Sequence, residues 1–324
     1  MGKQRDSSID VMKGLLISLV VLNHITGIAG NCGISNSTFS VLHVSRDLYV
    51  PFFMPAFFIV TGMCSNFERP FINFVWKNFK ALIIPGIIIS CIIVFIEKGF
   101  DAKALFSKII HGGAYWFLCA LFLSKIIYWS LKRYLTNHYV ILFFLVLLIF
   151  AGLFCRDNNL PNFWNYQQAF CLAIFVYVGD YSAKIFTSKP YLTASAYLLL
   201  LIALLCMRME IPVIVNKIYM SYISIPSFLV LSITGSFLIL VISKKIRSSY
   251  LLEFLGKESL IIYLIHMPIL YKLIPAFQFQ IQDVDNIRVS LGYYLFFFVI
   301  SLLLSSLVAL LTRTRYLRFI KGQF

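Results

Sequence analysis

The 324-residue chain is 60% hydrophobic and only 13% charged, with a positive mean hydropathy. No water-soluble domain of this length needs that much apolar surface, so soluble enzymes and soluble binding modules are excluded. The net charge of +15 would suit a nucleic-acid partner, but the Lys and Arg residues are spread through short loops, which fits membrane topology and excludes nucleic acid.

The first apolar stretch, Ile9–Ala29, is long enough to cross a bilayer. It has no small-residue cleavage site and is longer than a signal-peptide core, so it is expected to be a retained span. Nine further stretches follow: Leu48–Cys64, Leu82–Ile96, Ala114–Leu131, Tyr139–Phe154, Ala169–Ile185, Tyr191–Met207, Tyr222–Ile242, Leu255–Leu273 and Leu291–Leu311. The expected fold is therefore an all-α integral membrane protein of about ten transmembrane helices. With both termini inside, eighteen Lys and Arg residues fall in inner segments and eight in outer ones. That asymmetry supports an N-in, C-in orientation. The longest loops, Gly30–Asp47 and Glu97–Gly113, are too short to fold independently, so residues 1–324 read as one transmembrane domain with no appended soluble domain. Seven cysteines without CxxC spacing give neither a metal site nor a disulfide framework, and Cys32, Cys155 and Cys206, near the outer surface, are expected to be unpaired thiols, a disulfide between two of them being the alternative.

Chemistry must then occur among the helices. His24 lies deep in the first span and Lys13 eleven residues before it. At ~100° per residue the two differ by only about 20° around the axis and share one face with Asp10. Ionisable groups in lipid are costly and point to function by default. A neutral imidazole at that depth can act as a general base. Lys13, near the inner end, either snorkels to the surface or anchors an anion, and Asp10 either forms an exposed helix pair with it or fixes its position.

The second span carries Pro51 and Pro55, which are expected to kink or open its helix. The segment Phe74–Lys80, with Lys77 and Lys80, reads as a basic amphipathic approach to the third span, suited to anionic lipid or to a phosphate. Tyr115 and Trp116 open the fourth span as an outer aromatic belt or as a stacking platform for a sugar ring. Gly256, Ser259, Tyr263 and His266 fall in the ninth span, and Ser259, Tyr263 and His266 line one face. Two costly polar stripes are harder to attribute to packing than one.

These motifs, in this order, resemble those of the membrane-bound acyltransferase family 3, and most nearly its sugar O-acetyltransferase branch. The resemblance rests on Lys13 and His24 with ten residues between them, on the proline–aromatic run Phe52–Gly62, and on the basic run Trp76–Pro85. Trp116-Phe117-Leu118 and the late Gly256–Ser259 and Tyr263–His266 segments complete it. Lys13 stands where many members carry Arg, and Thr61 where many carry Ser. The hydrolase-like domain fused to some members has no counterpart here, which disfavours the two-domain peptidoglycan or lipopolysaccharide modifiers.

The resemblance implies an O-acyltransferase of the bacterial inner membrane. The donor would be acetyl-CoA, with Lys13, Lys77 and Lys80 at its phosphates and no metal. The acceptor would be a sugar hydroxyl of a cell-surface polysaccharide or lipid-linked glycan. His24 would be the base with Lys13 and Asp10 beside it, and Tyr115, Trp116, Ser259, Tyr263 and His266 would contact substrate. Membrane lipids are the other expected partners, and a homo-oligomer is compatible with the sequence. A transporter or flippase of lipid-linked sugar is the alternative, weakened because the Pro51/Pro55 break has no copy in the other half.

Overall fold

The computed structural model describes residues 6–32, 41–42, 45–99, 101–111, 115–181, 190–206, 210–215, 217–246, 248–281, 286–314 and 317. Ala114, Ile185 and Met207, expected ends of three spans, lie outside them, as does most of the Gly30–Asp47 loop. So do Lys3, Arg5, Lys184, Lys189, Arg208, Arg247, Arg315, Arg318 and Lys321 of the charge count, and the side chains of Lys98, Lys108 and Cys206.

Long runs of Leu, Ile, Val and Phe can satisfy their backbone in lipid only by i→i−4 bonding, and the chain does so throughout. The long helices are α1 (Ser7–Asn31), α2 (Val50–Cys64), α3 (Phe71–Asn78), α4 (Ile84–Lys98), α5 (Ala102–His111), α6 (Trp116–Tyr134), α7 (His138–Asp157), α8 (Tyr166–Tyr181) and α9 (Pro190–Cys206). A two-residue hairpin, Val213–Ile214 with Ile218–Tyr219, precedes α10 (Ile225–Ile246), α11 (Tyr250–Lys257), α12 (Ser259–Ala276), the short α13 (Gln278–Ile281) and α14 (Ile287–Leu311).

Among the described residues seven helical runs are long and apolar enough to cross a membrane: Ser7–Asn31, Arg46–Cys64, Phe71–Ile96, His138–Asp157, Ile225–Ile246, Ser259–Ala276 and Ile287–Leu311. The other three expected spans are also helical. However, α6 is diluted by Lys125, Lys132 and Arg133, while α8 and α9 have only 16 and 17 residues.

Two expectations need correction. The second span does not open: α2 runs unbroken through Pro55, and Pro51 sits in its first turn, where no N–H is required. The ninth span is broken at Glu258, so Gly256 belongs to α11 and Ser259 opens α12. The basic amphipathic approach to the third span is α3 itself. One π-helical turn, Phe79–Ile83, joins it to α4, and the extra residue in that turn accommodates Pro85, which has no N–H to donate. The segment 97–113 contains the ten-residue α5.

The chain divides into two compact units. The first comprises Met1–Phe53 and Ile239–Arg315. Within it α1 packs against α11, α12 and α14. Its N-terminus is capped by Asp6, whose carboxylate accepts from the Ser8 N–H at 3.0 Å. Gly14 of α1 meets the Leu252 carbonyl and Gly256 of α11 meets the Asp10 carbonyl, so a Cβ at either position would overlap the facing backbone. Two glycines thus let the helices touch backbone to backbone, as small residues do in membrane interfaces. At the α11–α12 break the buried Glu258 carboxylate accepts from Arg313 Nε at 2.8 Å, and that guanidinium lies 5.0 Å from the Phe254 ring centroid.

The second unit comprises Met54–Leu238 and Tyr316–Phe324. Its centre is α8, apolar around its whole circumference and buried from Ala169 through Gly179 except at Phe170. Gly62 of α2 and Gly179 of α8 repeat the reciprocal device, facing the Val176 and Ile59 carbonyls. Ser124 of α6 donates to the Ala169 carbonyl at 2.9 Å. At one end of this unit Asp180 Oδ2 accepts from the Tyr128 hydroxyl at 2.6 Å and from Lys132 Nζ at 2.9 Å, and Lys132 also pairs with Glu68 at 3.3 Å.

Candidate active site

The site is built on α1. Its contact with α11 through Gly14 fixes its rotation, and the same rotation turns Asn23 inward and leaves His24 half-buried. Parallel to it, α12 carries His266, which is completely buried. The two imidazole rings lie 5.2 Å apart, centroid to centroid, with their planes tilted by 41°. Tyr263, one turn before His266, has its ring 6.0 Å away.

The proton on His266 can be assigned from its surroundings. Nδ1 is 3.0 Å from the Ile262 carbonyl, which can only accept, so Nδ1 carries hydrogen. In the neutral ring Nε2 is then a bare acceptor, and it has no hydrogen-bond partner although fully buried. Buried polar atoms are almost always satisfied, and an exception calls for a cause. His24 makes no hydrogen bond among the described residues.

Arg46 stands on the C-terminal side of this pair. It begins a 3₁₀ turn, Arg46–Leu48, ahead of α2, and its Nε donates to Asn23 Oδ1 at 2.8 Å. His266 and Arg46 are the electrostatic neighbours of His24. The Tyr294 hydroxyl of α14 donates to the Leu22 carbonyl at 3.4 Å, tying a third helix to α1 beside His24.

The remaining expected residues lie elsewhere. Asp10 and Lys13 are fourteen and eleven residues below His24 on α1, about 21 and 16 Å along its axis. Asp10 is buried and Lys13 half-buried. The α1–α11 contact, in which Gly256 meets the Asp10 carbonyl, covers Asp10. Ser259 is seven residues below His266, about 10 Å, at the start of α12.

Lys77, Lys80, Tyr115 and Trp116 belong to the second unit. Lys77 is exposed, and Lys80 lies over the Trp76 ring at 5.6 Å. Tyr115 and Trp116 are 9% and 8% exposed, so they form no open aromatic belt. Tyr115 instead lines an apolar cleft with Gly86, Leu118 and Trp164. Cys32 and Cys155 are free thiols. Among the described residues no three His, Cys, Asp or Glu side chains are close enough together to hold a metal ion.

The sequence reading missed Arg46, Asn23 and Tyr294. A signal existed for two of them: Asn23 is a polar residue adjoining an intramembrane His, and Arg46 is a cation at the mouth of an apolar span. Nothing local marked Tyr294 as a partner of α1.

A family model described as an acyltransferase domain, that of acyltransferase family 3, matches residues 6–310. The chain belongs to membrane acyltransferase family 3. The match takes in both units, from the first turn of α1 to the last of α14, so this acyltransferase carries its chemistry on a helical membrane scaffold. No curated protein and no solved structure matches the chain. In the first unit one ring of the imidazole pair is half-buried without a hydrogen bond among the described residues, and the other holds an acceptor nitrogen without a partner.

Proposed function

We propose that this membrane O-acyltransferase moves an acetyl group from acetyl-CoA to a hydroxyl of a cell-surface polysaccharide or lipid-linked glycan, in a bacterial inner membrane, with His24 as the general base. The observation that carries this reading is a half-buried imidazole, without a hydrogen bond, beside a second buried imidazole inside an acyltransferase domain.

In this reaction the acceptor oxygen attacks the thioester carbonyl while His24 takes its proton. The C–O bond forms, the C–S bond breaks, and the proton on His24 passes to the departing thiolate to give free CoA. General-base help of this kind contributes roughly 10²–10⁴-fold in rate, and alignment of the two substrates adds to it. Tyr263, whose ring adjoins His266, donates to the developing oxyanion. Lys13, eleven residues before His24 on α1, binds the phosphates of the donor. In the second unit, the exposed Lys77 and the basic, aromatic segment that holds it and Lys80 suit a phosphate as well.

The test is transfer of labelled acetyl from acetyl-CoA to glycan extracted from the native cell, measured with purified protein in lipid nanodiscs. Wild-type protein is expected to label the glycan, and His24→Ala to fold normally while losing at least about 10²-fold in rate. Full transfer by His24→Ala would remove His24 from this role.

A further inference from the structure

The vacant nitrogen of His266 fits a specific task. An imidazole whose only proton is held by a carbonyl cannot donate from its other nitrogen, so neutral His266 is no source of a hydrogen bond to an oxyanion. It can only accept. Against it packs His24, which makes no hydrogen bond among the described residues and must carry one proton on its ring in the neutral state. At the observed centroid separation of 5.2 Å, two imidazole edges turned toward each other bring one nitrogen of each to roughly 3 Å, the length of a hydrogen bond. His24 makes no other hydrogen bond among the described residues, so turning its ring about the Cβ–Cγ bond breaks none of them.

We infer that His266 is the positioning residue for His24: its Nε2 accepts the His24 N–H, so that the other His24 nitrogen faces the acceptor hydroxyl with its lone pair. The inference rests on the proposed role of His24 as base. The arrangement follows the logic by which a catalytic histidine is held in one tautomer by a fixed acceptor behind it. Here the acceptor is a neutral imidazole, itself held by a main-chain carbonyl, so no second charge is introduced into the membrane interior. The chain Ile262 C=O, His266, His24, acceptor hydroxyl runs in one direction. When the hydroxyl proton reaches His24, the resulting imidazolium keeps its bond to His266 Nε2, and the bond strengthens because its donor is now charged. The proton then leaves with the CoA thiolate, so His266 neither gains nor loses one over the cycle.

The experiment compares His266→Gln, His266→Phe and His266→Leu with wild-type protein and with His24→Ala, in nanodiscs, using labelled acetyl-CoA and extracted glycan. Gln places an amide oxygen where Nε2 lies and so keeps an acceptor; Phe and Leu fill the space without one. His266→Phe and His266→Leu are expected to lose about 10- to 100-fold in kcat with KM for acetyl-CoA within twofold of wild type, and His266→Gln to recover most of that loss. Unchanged kcat in His266→Phe or His266→Leu would overturn the inference. So would equal losses in all three variants accompanied by lowered melting temperatures, since packing alone then explains them. If wild-type protein transfers and His24→Ala does not, these outcomes bear on His266 alone. Absence of transfer by wild-type protein would instead overturn the proposed function, and this inference with it.

Discussion

Arg46 Nε donates to Asn23 Oδ1 across 2.8 Å, so the cation at the mouth of α2 is held against the residue that adjoins His24. The contact joins two segments 23 residues apart and fixes where α2 begins relative to the upper part of α1. A hydrogen bond to a charged group contributes roughly 1.5–3 kcal/mol. Asn23→Ala should therefore lower unfolding stability by about that amount, and Asn23→Asp, which keeps an acceptor and adds a charge, should restore it. Denaturant or thermal unfolding in detergent checks this; equal stability of wild type and Asn23→Ala would show the contact to be incidental.

Three glycines of α1 meet different surroundings, which gives a prediction of opposite signs. A Cβ at Gly14 would overlap the Leu252 carbonyl, whereas nothing lies within 4 Å of a Cβ at Gly27 or Gly30. Gly14→Ala should destabilise by about 1–3 kcal/mol or more, because the obstacle is backbone and cannot rotate away. Gly27→Ala should be neutral or stabilise by about 0.5–1 kcal/mol through helix propensity. Gly256→Ala, facing the Asp10 carbonyl, should resemble Gly14→Ala. Melting temperatures of the purified variants check the opposite signs, Gly14→Ala and Gly256→Ala falling and Gly27→Ala holding or rising.

The ion pair at the α11–α12 break is asymmetric: the Glu258 side chain is 6% exposed and that of Arg313 is 46% exposed. Removing the exposed partner leaves the carboxylate in a poorly solvated place, so Arg313→Ala should cost more stability than Glu258→Gln, by about 1 kcal/mol or more. The half-exposure of Arg313 keeps the figure well below that of a fully buried pair. A double-mutant cycle read by unfolding measures the coupling, and a coupling of zero would sink the assignment.

Lys13 lies one side of the imidazole pair and Arg46 the other, since α1 runs from the first level to the second. If Lys13 meets the donor, Lys13→Gln should raise KM for acetyl-CoA about tenfold while leaving kcat within a few-fold. Lys13→Arg should restore KM in part, because a guanidinium also binds phosphate but with a planar fork in place of a point charge. Steady-state transfer at varied acetyl-CoA checks both, and an unchanged KM in Lys13→Gln would exclude the donor role.

What could be read along the chain was whatever depends on neighbours in sequence. The helical class follows from apolar length, and the shared face of Lys13 and His24 follows from 3.6 residues per turn. The continuity of α2 and the start of α12 were misjudged because helix breaks depend on context. Pro55 is accommodated inside a helix, while Glu258 interrupts an apolar run that contains no proline at that point. Spacing put Asp10 on the face of Lys13 and His24, but helical periodicity does not say which side another helix will cover.

Sequence alone therefore determined the solvent this protein lives in, its helical class and the chemical kinds of residue available within it, since hydropathy and helical periodicity are local properties. Only the tertiary structure decided that His24 faces His266, that Arg46 reaches Asn23, and that Tyr294 touches the carbonyl of Leu22, 272 residues away. Those contacts depend on how far helices rotate and how closely they approach. Here that is set by two glycines, Gly14 and Gly256, whose missing side chains let one backbone rest on another.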